Sequence, residues 1–369
     1  MKNKLISYIT LMLIFLLLSS SISLAKWTQE IGNEAGNPPS GFGISSNLAT
    51  RGIEIFDDEL YVGTQNLDAN KIRILPLRII LTTVIFIYRI LDKIGNIGLL
   101  TRLANTLIGF HGIACDGCEL WKYNNTLDEW TPLVSDAPGA FFPAGFGNRG
   151  NFATAIIQSF KNNLYVGTAT SSLEGCEIWR YNGVYWKKVV EKGLGNRHNS
   201  GAWTSTEYND HLYVGTMNWK TGCQVWKTSD GNNWMKVEIP GGDGFGTHTN
   251  IYVWAMNVYK DNLFVGTCDI HPTGGCELWS YDGNNWKKIA LPGGDGFGDP
   301  VNYGIRNMIN YYDEMYISTG TNIFQTDQAC EIWKYDGENI LFREDEEQFQ
   351  SQFRFRDNYI DSKLVGEGF

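Results

Sequence analysis

Hydrolysis of a glycosidic bond calls for two carboxylates about 5–10 Å apart, one as acid and the other as base or nucleophile. In this chain of 369 residues the pair that best answers that need is Asp269 and Asp299, which fall in adjacent loops of a repeating sequence. A second pattern carries polar rather than catalytic chemistry. Gly-Phe-Gly or Gly-Leu-Gly, three residues and an Asn recur from Gly41 to Asn47, Gly145 to Asn151, Gly193 to Asn199, Gly244 to Asn250 and Gly296 to Asn302. Asn at such places satisfies loop backbone groups, and five copies around an axis would also present a polar ring to a ligand.

Symmetric positions build a scaffold, whereas departures from symmetry suit an asymmetric partner. Arg149, Arg197 and His248 share one variable place in the repeated loop, Asn148, Asn196 and Asp299 share the one before it, and Trp219 and His271 lie in longer loops nearby. Together they describe a partly cationic mouth fit for a carboxylate, a phosphate or a sugar, or else ordinary solvated loop residues.

Five of the seven cysteines, Cys118, Cys176, Cys223, Cys276 and Cys330, repeat with the units. Packed sheets stand about 10 Å apart, too far for a disulfide between neighbours, so these read as small buried residues. Cys268 and Cys276 face each other across one loop and are candidates for a disulfide. Cys115 and Cys118 could form another, or half of a metal site; a zinc ribbon would need a second such pair, so no metal is assigned and no cofactor is implied. No serine nucleophile motif, phosphate loop or His-Glu-x-x-His sequence occurs.

The elements that must position these residues repeat about every fifty residues. A hydrophobic segment ending in small residues appears at 60–64 (LYVGT), 164–168 (LYVGT), 212–216 (LYVGT), 263–267 (LFVGT) and 315–319 (MYIST). Each is followed by Cys-Glu/Gln-x-Trp, ending at Trp121, Trp179, Trp226, Trp279 and Trp333, and then by a turn and a Trp-led segment at Trp130, Trp186, Trp234 and Trp286. Four short β-rich segments per unit, with a period of this size, predict an all-β, five-bladed β-propeller of four-stranded blades over 26–342. The fifth Trp of the outer position is Trp27, so the N-terminal strand is expected to close the last blade, with 340–343 as a competitor for that place. The segments at Leu164–Thr168, Tyr181 and Trp186, and the run from Thr228 to Trp234, resemble the Kelch and Asp-box propeller repeats over about residues 50–336. The resemblance implies a scaffold rather than a particular chemistry.

Three stretches stand apart from the repeat. Residues 1–25 read as a secretory signal cleaved after Ala25, or as an uncleaved N-terminal anchor, either of which places the rest outside the cytoplasm. The first blade carries an apolar insertion within 69–113, whose Ile and Leu spacings predict helices; a cap, a membrane-surface contact through 71–111 or a partner arm would each suit it. Residues 343–369 read as a solvated tail.

A net charge of −10, with no basic stripe, argues against a nucleic-acid partner. The leading expectation is an extracellular or cell-surface binding module for a glycan, a small polar molecule or a protein. A glycoside hydrolase and a structural or adhesive membrane-associated repeat protein are the alternatives.

Overall fold

The structure, a computed structural model, describes residues 29–32, 38–67, 115–172, 174–271, 273–321, 330–337 and 340–341. Residues 1–25, read above as a signal or an anchor, Trp27, the 69–113 segment and residues 343–369 all lie outside them. Two compact units divide the chain, Met1–Ser45 and Ser46–Phe369. In the first, the described element is the tight turn Ser40–Gly43, in which Gly41 and Phe42 both take positive φ. In the described residues no helix is long and apolar enough to cross a membrane.

The second unit is all-β and of the β-propeller kind. Its strands pair in successive antiparallel runs of four. The first is β1 (Asn47–Phe56), β2 (Glu59–Asn66), β3 (Leu120–Asn124) and β4 (Glu129–Val134). β5 (Asn151–Phe160), β6 (Asn163–Thr170), β7 (Ile178–Tyr181) and β8 (Trp186–Val190) make the second. The third is β9 (Asn199–Tyr208), β10 (His211–Asn218), β11 (Val225–Thr228) and β12 (Met235–Val237). β13 (Asn250–Tyr259), β14 (Asn262–Asp269), β15 (Leu278–Tyr281) and β16 (Trp286–Ile289) follow. Last come β17 (Asn302–Tyr311), β18 (Glu314–Thr321), β19 (Ile332–Tyr335) and β20 (Ile340–Leu341). Thus the outer position on β19 is taken by β20, the competitor named above for the place expected of the Trp27 strand.

Local chemistry explains each hairpin. The first two strands of a run are joined by two-residue turns with both residues at positive φ, Asp57-Asp58, Lys161-Asn162, Asn209-Asp210 and Lys260-Asp261. That is the type I′ geometry, whose twist matches the strands it joins. The turn before β15 and β16 meet is held by Asp282, whose Oδ1 accepts from the Asn284 and Asn285 N–H groups at 2.8 and 2.6 Å. These bonds hold its carboxyl below the ordinary range.

Consecutive first strands pack in order, β1 on β5, β5 on β9, β9 on β13 and β13 on β17. A separate apolar cluster fills each junction: Leu164, Val166 and Trp179 with Tyr61 and Leu120 between the first two runs, and Leu278 and Ile289 with Ile305 and Ile317 between the last two. Glycine makes the approach close enough. A Cβ on Gly215 would lie 2.4 Å from Val253 Cβ, and one on Gly266 would lie 2.6 Å from Ile305 Cβ. Ser318 holds the matching place in the last run, opposite Ile332 as Gly266 is opposite Leu278. No further first strand packs against that face among the described residues. Tyr311 there is 59 % exposed, where its counterpart Tyr259 is 5 % exposed. On the facing side of the first run Ile53 and Ile55 are exposed as well.

Candidate functional site

The five Asn residues are not a solvent-facing ring. Asn47 is half-buried, while Asn151, Asn199, Asn250 and Asn302 are fully or almost fully buried, each starting the first strand of its run. Asn250 Nδ2 donates to Gly244 O at 3.0 Å and to Glu277 Oε2 at 2.9 Å, and the same two bonds recur at Asn151, Asn199 and Asn302. Asn47 Nδ2 donates to Glu119 Oε2 at 2.6 Å. The main chain adds the link between runs, because the Cys223 N–H donates to Asn250 O at 2.8 Å and Cys118, Cys176 and Cys276 do likewise to the following Asn. These residues therefore clamp each tight turn to its neighbour. Phe146, Phe245 and Phe297, at positive φ in those turns, stack on Trp179, Trp279 and Trp333 with centroids 4.5–4.8 Å apart.

The variable loop residues are dispersed. Arg149 is committed locally, to the Asp116 carbonyl at 2.8 Å and to Asp136 Oδ2 at 2.7 Å. Arg197 and His248 are exposed, and His271 Nδ1 bonds Thr273 Oγ1 beside it at 3.0 Å. Asp299 Oδ1 accepts from the Val301 N–H at 2.9 Å, shaping its own turn. Asp269 is buried and accepts from the His271 N–H at 2.8 Å, and the acid acting most strongly on it is Glu277 rather than Asp299.

Cys268 and Cys276 are free buried thiols and not a disulfide. Cys268 lies within β14, opposite Tyr252 and Gly304 on neighbouring strands, while Cys276 is held in the loop ahead by Asn302 O. Burial pushes the Cys176 thiol up to about 12 and the other repeated buried thiols higher, so none is a thiolate at neutral pH. In the native protein we expect a thiol reagent to modify exposed Cys330 rapidly and half-buried Cys115 more slowly. The five buried cysteines, Cys118, Cys176, Cys223, Cys268 and Cys276, should react only on unfolding. Counting released chromophore against time checks this. No group of His, Cys, Asp or Glu able to hold a metal ion occurs among the described residues.

Asp269 has another role, visible by comparing runs. Asn218 Nδ2 donates to Asn199 Oδ1 at 2.9 Å, and Asn66 Nδ2 donates to Asn47 Oδ1 at 3.0 Å. Asp269 stands at the same place opposite Asn250, whose Oδ1 is buried without a donor. Burial raises the Asp269 carboxyl, with hydrogen bonds from His271 and Thr249 opposing the shift. A raised folded-state pKa means that the charged form carries a penalty above that pKa, which fades as pH falls through it. Asp269→Asn should therefore stabilise the protein by about 1 kcal/mol at pH 7, with the gain shrinking under acid, as measured by urea unfolding at several pH values.

A cluster that the loops did not announce lies where the first strands converge. The fifth residues of β1, β5, β9, β13 and β17 are Arg51, Ala155, Trp203, Trp254 and Arg306. The Arg51 guanidinium lies 4.5 Å from the ring centre of Trp203, two runs away, and that of Arg306 lies 5.0 Å from Trp254. Tyr252 joins the two indoles, 4.8 Å from Trp203 and 5.7 Å from Trp254, and Tyr303 meets Trp254 edge-on at 5.3 Å. Small residues leave room for the rings: a Cβ on Gly304 would fall 2.1 Å from Trp254 Cε3. Of the loop candidates Trp219 alone reaches this cluster, 5.8 Å from Tyr252. Burial drives the Tyr252 hydroxyl well above the usual tyrosine range. The signal was present in the sequence as a departure from symmetry, but in a strand rather than a loop.

A cleft of about 590 Å³ at the opposite end is lined by Phe56, Asp57, Phe160, Lys161, Asn182 and Glu207. Its lining comes from hairpin turns and lacks the convergence of aromatic and cationic groups seen between the first strands.

No family model matches the chain, and no curated protein does. Solved structures with a similar fold include an α-L-arabinofuranosidase from Clostridium thermocellum, at 11% identity and TM-score 0.38 over 79% of this chain and 90% of that one. Another is a Trypanosoma rangeli sialidase in complex with sialic acid, at 14% identity and TM-score 0.41 over 80% and 46%. The Aleuria aurantia lectin in complex with a fucosylated N-acetylglucosamine is a third, at 8% identity and TM-score 0.39 over 79% and 78%. Similarity at this level assigns neither a ligand nor a reaction to this chain.

Proposed function

We propose that the five runs are the blades of one propeller and that it serves as a binding module, exported to the cell surface or beyond, for a glycan or another small polar ligand. The observation that carries this reading is the convergence of Trp203, Tyr252 and Trp254 from two adjacent runs with Arg51 and Arg306 from two others. Flat aromatic faces beside fixed polar donors are what a sugar ring needs, since its C–H face stacks while its hydroxyls bond. Trp254 Nε1 is buried and has no acceptor, which a ligand oxygen would supply. Export rests on the character of residues 1–25.

Titrating the full chain with a panel of neutral and acidic oligosaccharides, followed by tryptophan fluorescence, tests the reading. Trp254→Ala should weaken binding by about tenfold or more. Unchanged affinity in Trp254→Ala and Trp203→Ala would remove the site from consideration.

A further inference from the structure

Among the described residues, Arg51 and Arg306 are a pair of like charges with no counter-ion. Neither forms an ion pair with a carboxylate among the described residues, and the groups whose charge acts on Arg51 are Arg306 and Tyr252, not an acid. Burial and the Arg306 charge both push Arg51 below the ordinary arginine value.

Donors are left over as well. A guanidinium offers five N–H groups and accepts nothing. Arg51 Nε is buried with no acceptor, and so is Trp254 Nε1 beside it in the cluster. Each guanidinium already lies against an indole, which fixes its position without using its N–H groups. Unused donors, uncompensated positive charge and flanking aromatic faces thus share one place.

We propose that this site takes an acidic sugar, its carboxylate or sulfate oxygens received by Arg51 and Arg306 and its ring face laid on Trp254 and Trp203, an inference that rests on the central cluster being the ligand site. A neutral sugar would satisfy donors but leave the two cations repelling each other, whereas an oxyanion accepts only and cancels charge. Guanidinium is suited to this because its fork matches the two oxygens of a carboxylate.

The test compares three disaccharides that differ at one end, terminated by glucuronate, by 6-sulfated glucose or by glucose, by calorimetric titration of the full chain. Glucuronate or sulfated ligand should bind about 10- to 100-fold more tightly than the neutral one, and Arg306→Gln should erase most of that margin, weakening the acidic ligands far more than the neutral one. Because Arg306 is exposed, this variant should fold, and near-ultraviolet circular dichroism checks it. Which acidic ligand binds more tightly tells carboxylate from sulfate. Arg51→Lys keeps the charge and loses the fork, and should weaken glucuronate more than sulfate. Equal binding of all three, abolished by Trp254→Ala, would overturn the anionic ligand and keep the sugar site. Loss of all binding to the wild-type protein would overturn both.

Discussion

Glu277→Ala is expected to lower unfolding stability by about 3 kcal/mol, whereas Glu277→Gln should cost less than about 1 kcal/mol. The Glu277 carboxylate is buried and receives Asn250 Nδ2 at 2.9 Å, Trp279 Nε1 at 3.0 Å and Lys288 Nζ at 2.5 Å. Alanine would leave the indole N–H and one of the two Asn250 amide N–H groups unmet in the interior, the other still bonding Gly244 O. The protein contains its own control. In the third run Gln224 stands at this place, accepting from Asn199 at 2.7 Å and Trp226 at 3.0 Å through Oε1, and donating through Nε2 to Asp243 at 2.6 Å. Asp295 is the matching acid beside Glu277, already bonded to Lys288 at 3.0 Å, so a glutamine at 277 would find the same partners. Denaturant midpoints for the two variants decide it; equal losses would show that charge, rather than hydrogen-bond count, holds the junction.

Gly215→Ala is expected to destabilise by about 3 kcal/mol, although alanine ordinarily suits a strand better than glycine. The new methyl would lie 2.4 Å from Val253 Cβ and 2.5 Å from its Cγ1, on a fully buried residue of the next first strand. Cβ is fixed to the backbone, so relief requires the two runs to part, and the cluster containing Val225, Val237 and Val265 spans that junction. Ser318→Gly, at the matching position of the last run, should change stability by less than about 1 kcal/mol, since among the described residues no further first strand packs there. Thermal unfolding of both variants is the measurement. A Gly215→Ala protein as stable as wild type would mean that the junction yields without loss.

Much of the architecture was legible because it is repeated. The five small-residue strand endings, the Cys-Glu-x-Trp segments and the Gly-Phe-Gly turns each reported a position that packing imposes on every run. Leu212, Leu263 and Met315, for example, are fully buried at equivalent places. The site was less legible for the same reason. Asn and Cys recur because they join neighbours, and their regularity drew attention to joints rather than to a ligand. Loop positions vary freely in solvent, as at Arg197 and His248, so variation there meant little. In a first strand, variation has to be accommodated by its surroundings. Trp203 and Trp254 are accommodated because Gly201 and Gly304 lie beside them, a reciprocity of large and small that appears once the strands are set side by side. Asp269 and Asp299 each accept a hydrogen bond from the backbone two residues ahead, a turn-shaping role that the sequence also permitted.

Ser318 also bears on how such an array can lengthen. Gly63, Gly167, Gly215 and Gly266 each admit a neighbour's first strand, with a Cβ there falling 1.9–2.9 Å from an atom of that strand. A sixth copy added after β19 by tandem duplication would meet a hydroxymethyl group where its predecessors met hydrogen. A homologue with an additional copy in that position is therefore expected to carry glycine in place of the serine.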